Sequence, residues 1–228
     1  MSQERDPAPV NPLPPVVAAL FLAIVAVEAA FSLGARGLIG GPGAVGWRAM
    51  AIETYGMNGE ILAWMAETGR WPLEHLGRLV TYQFVHGSFT HALFAGVMLL
   101  ALGKMVGEVF GALATLSVFV VPGVAGAAVF GLALSEPGWL LGAFPGVYGL
   151  IGAFTYLLWV RLGAMGESQA RAFMLIGVLM GIQLVFGALF GGRPDWVADV
   201  VGFATGFAMS VFVSPGGWTR LRARLRHD

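Results

Sequence analysis

The sequence predicts an all-α, polytopic membrane protein, with six transmembrane helices and one long, partly helical first loop. Three observations carry this. Of the 228 residues, 57% are hydrophobic and 11% charged, under half of the roughly 25% charged residues of a soluble domain. Glycine contributes 34 residues, about twice its usual ~7% share, and small residues enrich where membrane helices pack closely. Six windows approach the ~20 apolar residues that a span needs: about 15–34, 83–103, 111–134, 146–163, 170–190 and 196–214. Backbone groups in lipid must be satisfied within the chain, so such runs read as helices, and the period-2 alternation of barrel strands is not seen.

The elements follow in order. Residues 1–14 are polar and proline-rich, which predicts a flexible tail. This start lacks the basic n-region of a secretory signal, so the apolar run from Val16 to Leu33 reads as a retained first span. The first loop, about 35–80, contains GWRAMAIETYGMNGEILAWMAETG, apolar on a roughly helical period but too charged to span. Such a segment is expected either to lie along the interface, with Trp47, Tyr55, Trp64 and Trp71 near headgroup level, or to cap the bundle. The third window contains Pro122 and Gly123, where a missing backbone donor predicts a kink. A membrane domain over 15–214 then gives way to a basic tail, 215–228, holding Arg220, Arg222, Arg224 and Arg226. Basic residues favour the cytoplasmic side, so that tail sets the orientation, and six spans put the N-terminus there too. Lys104 and the connection bearing Arg161 and Arg171 fall on the same side. Arg36, Arg48, Arg70 and Arg78 in the first loop run against it, interleaved with Glu53, Glu60, Glu67 and Glu74.

Composition also excludes. With no cysteine, there is no disulfide, thiolate metal site or cysteine nucleophile. A formal net charge of zero argues against a nucleic-acid partner, and nothing calls for a cofactor. Ionisable groups within spans are costly and are functional candidates by default. Here they are Glu28 in the first span, His86 and His91 at the start of the second, Glu108 near its end, and Asp199 in the last. Glu28 either lines a cavity or bonds a neighbouring helix.

The stretch RLVTYQFVHGSFTHALFAGVMLLALGKMVGEVFG resembles the second-helix signature of the rhomboid intramembrane proteases, through Arg78, Thr81, His86, His91, Gly103 and Glu108. The six spans and long first loop fit that fold as well, over roughly residues 70–215. The resemblance implies a serine nucleophile on the fourth helix, a histidine base on the sixth, and oxyanion donors from a histidine and an asparagine on the second. Laid on that frame, Gly142-Ala143-Phe144-Pro145 puts Phe144 at the serine and Pro145 at the following glycine. Asp199 stands at the base, Ala95 at the asparagine, and His91 is retained. Tyr148 matches an aromatic beside the family's site, and Gly142, Gly146, Gly149, Gly202 and Gly206 read as close-packing glycines.

A phenyl ring cannot attack a carbonyl. Losing the nucleophile or base of a well-studied serine triad lowers the rate about 10⁶-fold, and one lost oxyanion donor costs about 2.7–4 kcal/mol of transition-state stabilisation. No catalytic residue is therefore expected, with Ser88 and His86 as fallback candidates and Ser210 and Thr205 behind them. A Ser88–His91 or Ser88–His86 pair would satisfy the needs of a nucleophile and base, but helix capping is the simpler role for Ser88. Asp199 is expected to face His91 and His86, as a hydrogen-bonding lock between helices; a zinc site on those three residues is the weaker alternative. Phe144 is expected to pack toward the second and sixth helices, near His91 and Asp199.

The resemblance implies a rhomboid-like, multi-pass protein of a bacterial-type inner membrane, and the basic tail with six spans is expected to place both termini in the cytoplasm. With its site dismantled, it is expected to bind or assist transmembrane helices of client or complex proteins, in contact with the lipid bilayer. The basic tail adds attraction to anionic lipid, about 1 kcal/mol per residue near the surface. The rival readings are an intramembrane endopeptidase with a rearranged nucleophile and a small transporter or channel.

Overall fold

A computed structural model describes residues 12–134, 138–190 and 194–216. The N-terminal tail expected over 1–14 and the basic tail over 215–228 fall almost wholly outside these residues. Within them the chain forms α1 (Pro15–Ala35), α2 (Trp47–Tyr55), α3 (Gly59–Thr68), α4 (Leu73–Thr81), α5 (Phe89–Phe110), α6 (Ala112–Ala133), α7 (Phe144–Ala164), α8 (Met174–Phe190) and α9 (Trp196–Val213). Two short strands, β1 (Met57–Asn58) and β2 (Trp139–Leu140), pair antiparallel.

Five helices, α1, α5, α6, α7 and α9, are long and apolar enough to cross a membrane. The protein is a multi-pass membrane bundle. The window at 170–190 departs from expectation. Gln169–Phe173 winds into a tight 3-10 turn, leaving α8 with 17 residues, at the short end of the ~17–25 residues that spans use. None of the described α8 side chains is fully buried, so this helix lies against the bundle and is not embedded in it.

The second window also moves. Tyr82–Phe84 forms a 3-10 turn, and α5 starts only at Phe89, after Ser88, whose hydroxyl oxygen accepts the His91 N–H at 3.2 Å. His86 thus sits in the connection before the helix, not on it. An N-cap of this kind satisfies a backbone donor that the first turn leaves without a partner.

α7 is the central helix, packed against α5, α6 and α9. Its contact with α9 is backbone to backbone: a Cβ on Gly206 would overlap the Gly149 carbonyl, and one on Gly202 the Pro145 carbonyl. Small residues are what allow this approach. α6 runs through Pro122 as one helix over Ala112–Ala133. Proline has no N–H for the carbonyl four residues earlier, and that group, Val118 O, lies against Gly149 of α7. The first loop folds into α2, α3 and α4, with α3 against α6 and Tyr55, Trp64 and Trp71 half-exposed.

Candidate functional site

The segment that enters α7 is clasped from two sides. β2 pairs with β1 of the first loop, and beyond it Gly142 N–H donates to the Tyr82 carbonyl at 2.9 Å. Next, Ala143 N–H donates to His86 Nε2 at 3.2 Å, which leaves the imidazole proton on Nδ1. Gly142 adopts a φ of +87°, and a Cβ there would come within 2.6 Å of the His91 ring and 3.0 Å of His86. Only glycine fits both demands. The rings of His86 and His91 meet edge to face at 5.0 Å, and Phe144 stacks on His91 at 5.2 Å with an interplanar angle of 12°.

Burial, and then the neighbouring His91, pull the His86 pKa down to about 4. With its Nε2 lone pair taken by Ala143 and its proton on Nδ1, His86 has no lone pair to offer as a base.

Behind Phe144 lies a cavity of about 270 Å³, walled by Leu140, Leu141, Pro145, Leu179 and Ile182, with His91, Tyr148, Gln183, Asp195 and Asp199 as its polar members. Asp199 is 4% exposed. Gln183 Nε2–H donates to Asp199 Oδ2 at 2.9 Å, and the Tyr148 hydroxyl donates to Gln183 Oε1 at 3.2 Å. One amide therefore ties α7, α8 and α9 together. Gln183, the centre of this chain, was missed by sequence reasoning; its signal is a single amide in an otherwise apolar run.

On the other side of α5 a second polar group is fully paired. Glu28 of α1 receives both Arg48 terminal nitrogens, at 2.7 and 2.9 Å, and the Ser32 hydroxyl at 2.7 Å. Arg48 Nη1 also donates to the His86 carbonyl at 2.6 Å, and its guanidinium lies 5.1 Å from the Phe31 ring centre. Glu28, read as either lining a cavity or bonding a neighbour, does both: a pocket of about 150 Å³ borders it. Because Arg48 grips the carbonyl of His86, this pair helps to hold the connection that carries both histidines.

Arg78 and Thr81 reach back into the first loop, donating to the carbonyls of Gly56 and Tyr55 at 2.9 and 2.8 Å. They brace the helix before the histidines. A family model for the rhomboid domain matches residues 73–216, more than half of the chain. The chain belongs to the rhomboid family. A search of curated proteins found no match.

Set on the rhomboid frame, the residues meet as follows. Phe144, at the position the resemblance assigns to the nucleophile, and His91 are in ring contact and share the cavity with Asp199. Asp199 faces the cavity with His91 but takes its side-chain hydrogen bond from Gln183, and His86 does not line that cavity, so of the two expected histidine neighbours one shares the space with Asp199. Among the described residues no group of three His, Asp or Glu could hold a metal ion, so His86, His91 and Asp199 are not assembled as a zinc site. Ala95 is fully buried on α5 among apolar neighbours. Ser88 serves as a helix cap and lines neither cavity, and Ser210 donates to the carbonyl of Gly206 within its own helix.

Proposed function

We propose that this rhomboid-family membrane protein does not cleave peptide bonds and instead binds transmembrane helices of client proteins or of a membrane complex, assisting their assembly, stability or turnover. The observation that carries this reading is the phenyl ring of Phe144 stacked on His91, at the position the family resemblance assigns to serine. The cavity behind it is lined by no Ser, Thr or Cys among the described residues. Acyl transfer needs a nucleophile and a base within hydrogen-bond reach, and His86, the fallback base, has its Nε2 lone pair committed to Ala143. The scaffold that would present a substrate helix is kept. In this reading the protein sits in a bacterial-type inner membrane with both termini in the cytoplasm, which puts the starts of α5, α7 and α9 on the outer face.

The test is labelling of the full-length protein in lipid with a fluorophosphonate probe for serine hydrolases, beside Ser88→Ala and His91→Ala. No labelling above a heat-denatured control is expected. Labelling that disappears in both variants would overturn the reading in favour of an endopeptidase with a rearranged nucleophile.

A further inference from the structure

We propose that the cavity at Asp199 is a receptor for a basic side chain, Lys or Arg, carried near the outer end of a client's transmembrane helix. The inference deepens the proposed helix-binding function and rests on it. The two buried carboxylates on the described spanning helices differ in what meets them. Glu28 has an arginine from its own chain in two-point contact, whereas Asp199 has no cation within salt-bridge distance among the described residues. Among the described residues, the one hydrogen-bond partner of its carboxylate is the neutral Gln183 amide, on Oδ2. The other oxygen, Oδ1, takes no hydrogen bond among the described residues, and the residue lines the cavity. A carboxylate 4% exposed within an apolar bundle carries a desolvation cost that an opposite charge offsets.

Two features of its position suit a positive guest. Asp199 lies in the first turn of α9, where the unpaired N–H groups of a helix start attract negative charge. Asp195, one turn earlier, adds a second carboxylate to the same cavity. The walls supply the rest of the match. Leu140, Leu141, Pro145, Leu179 and Ile182 are suited to the methylenes of a long basic side chain, which packs its stem on apolar surface and keeps its charged head with a polar partner. The volume of about 270 Å³ holds one such side chain and not a folded segment.

Depth agrees as well. Asp199 is three residues past Trp196, the first residue of α9, roughly 4.5 Å below the helix start at ~1.5 Å per residue. That is the level a Lys or Arg reaches from the end turn of a spanning helix. One wall of the cavity is Leu179, Ile182 and Gln183 of α8, a helix with no fully buried side chain among its described residues. Basic residues are depleted on the outer flank of ordinary membrane helices, so a receptor for one there selects a minority of helices and passes over most.

The experiment uses the full-length protein in phosphatidylcholine nanodiscs and a single-span Leu/Ala peptide with Lys one turn in from its outer end. Partners are the same peptide with Leu at that place, and the Lys peptide acetylated on Nζ. The Lys peptide is expected to bind at least tenfold more tightly than either partner, by fluorescence transfer, and Asp199→Asn is expected to bring all three to one affinity. Equal binding of Lys and acetyl-Lys peptides to the unmutated protein overturns the proposal without reliance on any variant's folding. A preference that survives Asp199→Asn also overturns it. Loss of the preference when phosphatidylethanolamine is added assigns the cavity to a lipid ammonium and overturns it too. Mass spectrometry of the recovered peptides keeps the two readings apart: cleavage sinks the non-proteolytic function, while the Lys preference is judged on affinity alone.

Discussion

Glu28 and Asp199 are both carboxylates on apolar helices, 5% and 4% exposed, yet the protein handles them in opposite ways. Glu28 borders a smaller pocket but is neutralised within the chain. Arg48 meets it with two nitrogens, Ser32 adds a third donor, and the same arginine reaches on to the His86 carbonyl. Asp199 is held by a neutral amide and opens onto a cavity. Burial alone therefore says little about an intramembrane charge, and the partner set says more. A carboxylate that its own chain has neutralised acts as a fastener between elements. One left with a single amide beside open space keeps interaction capacity for something outside the chain.

The contrast can be broken most severely at Arg48. Arg48→Ala strands a buried carboxylate, and removing one member of a buried pair costs about 3–5 kcal/mol. Unfolding in mild detergent should show a loss of that order, with part of it recovered in the Arg48→Met/Glu28→Gln double variant. A cost under about 1 kcal/mol would mean that water reaches Glu28 and that it is no fastener.

Acid probes the connection held by that fastener. The folded His86 pKa is about 4 against an ordinary 6.5, so the unfolded chain takes up the proton first. Stability should be intact above pH 6.5, fall as the pH drops below it, and level off once the pH is under about 4. His86→Asn should flatten this part of the profile by an amount on the order of a few kcal/mol, set by the size of the shift. An unchanged profile would show that the imidazole is not buried neutral.

On the Asp199 side the effects are smaller. Gln183→Leu removes the amide joining α7, α8 and α9, and should cost about 1–2 kcal/mol, since it leaves a buried carboxylate without its donor. Hydrogen exchange should rise first in α8, none of whose described side chains is fully buried; a rise spread evenly over the bundle would contradict the role of Gln183 as the clasp of that helix. Smallest of all is Asp199→Asn. An amide can still pair with Gln183, so the stability change should stay under about 1 kcal/mol. A loss matching that of Arg48→Ala would place Asp199 in the same class as Glu28 and erase the contrast.

Much of the bundle was legible in the sequence because hydropathy is a local property. The windows at 111–134 and 196–214 meet α6 and α9 within a residue or so. The window at 83–103 began early because Phe84 and Val85 extend the apolar run ahead of α5, although Tyr82–Phe84 forms a 3-10 turn and α5 starts at Phe89. Ser88 as the cap of α5 could be read from its residue type. The meeting of Phe144 with His91 was expected from the family frame and stands in the structure as a stacked pair.

Partnership was the part that sequence could not supply. Arg48 was one of several interleaved charges in a loop, and nothing local marks it as the partner of a carboxylate 20 positions earlier. Gln183 carries no charge to flag it in an apolar run, and the pairing of Met57–Asn58 with Trp139–Leu140 joins segments far apart in the chain. Composition, length and glycine spacing, acting along the chain, determined by themselves that these helices form and lie in a membrane. Which carboxylate its own chain neutralises and which faces a cavity with only a neutral amide was decided only by tertiary structure. An ion pair and an empty volume are both set by distances across helices, and those arise from packing.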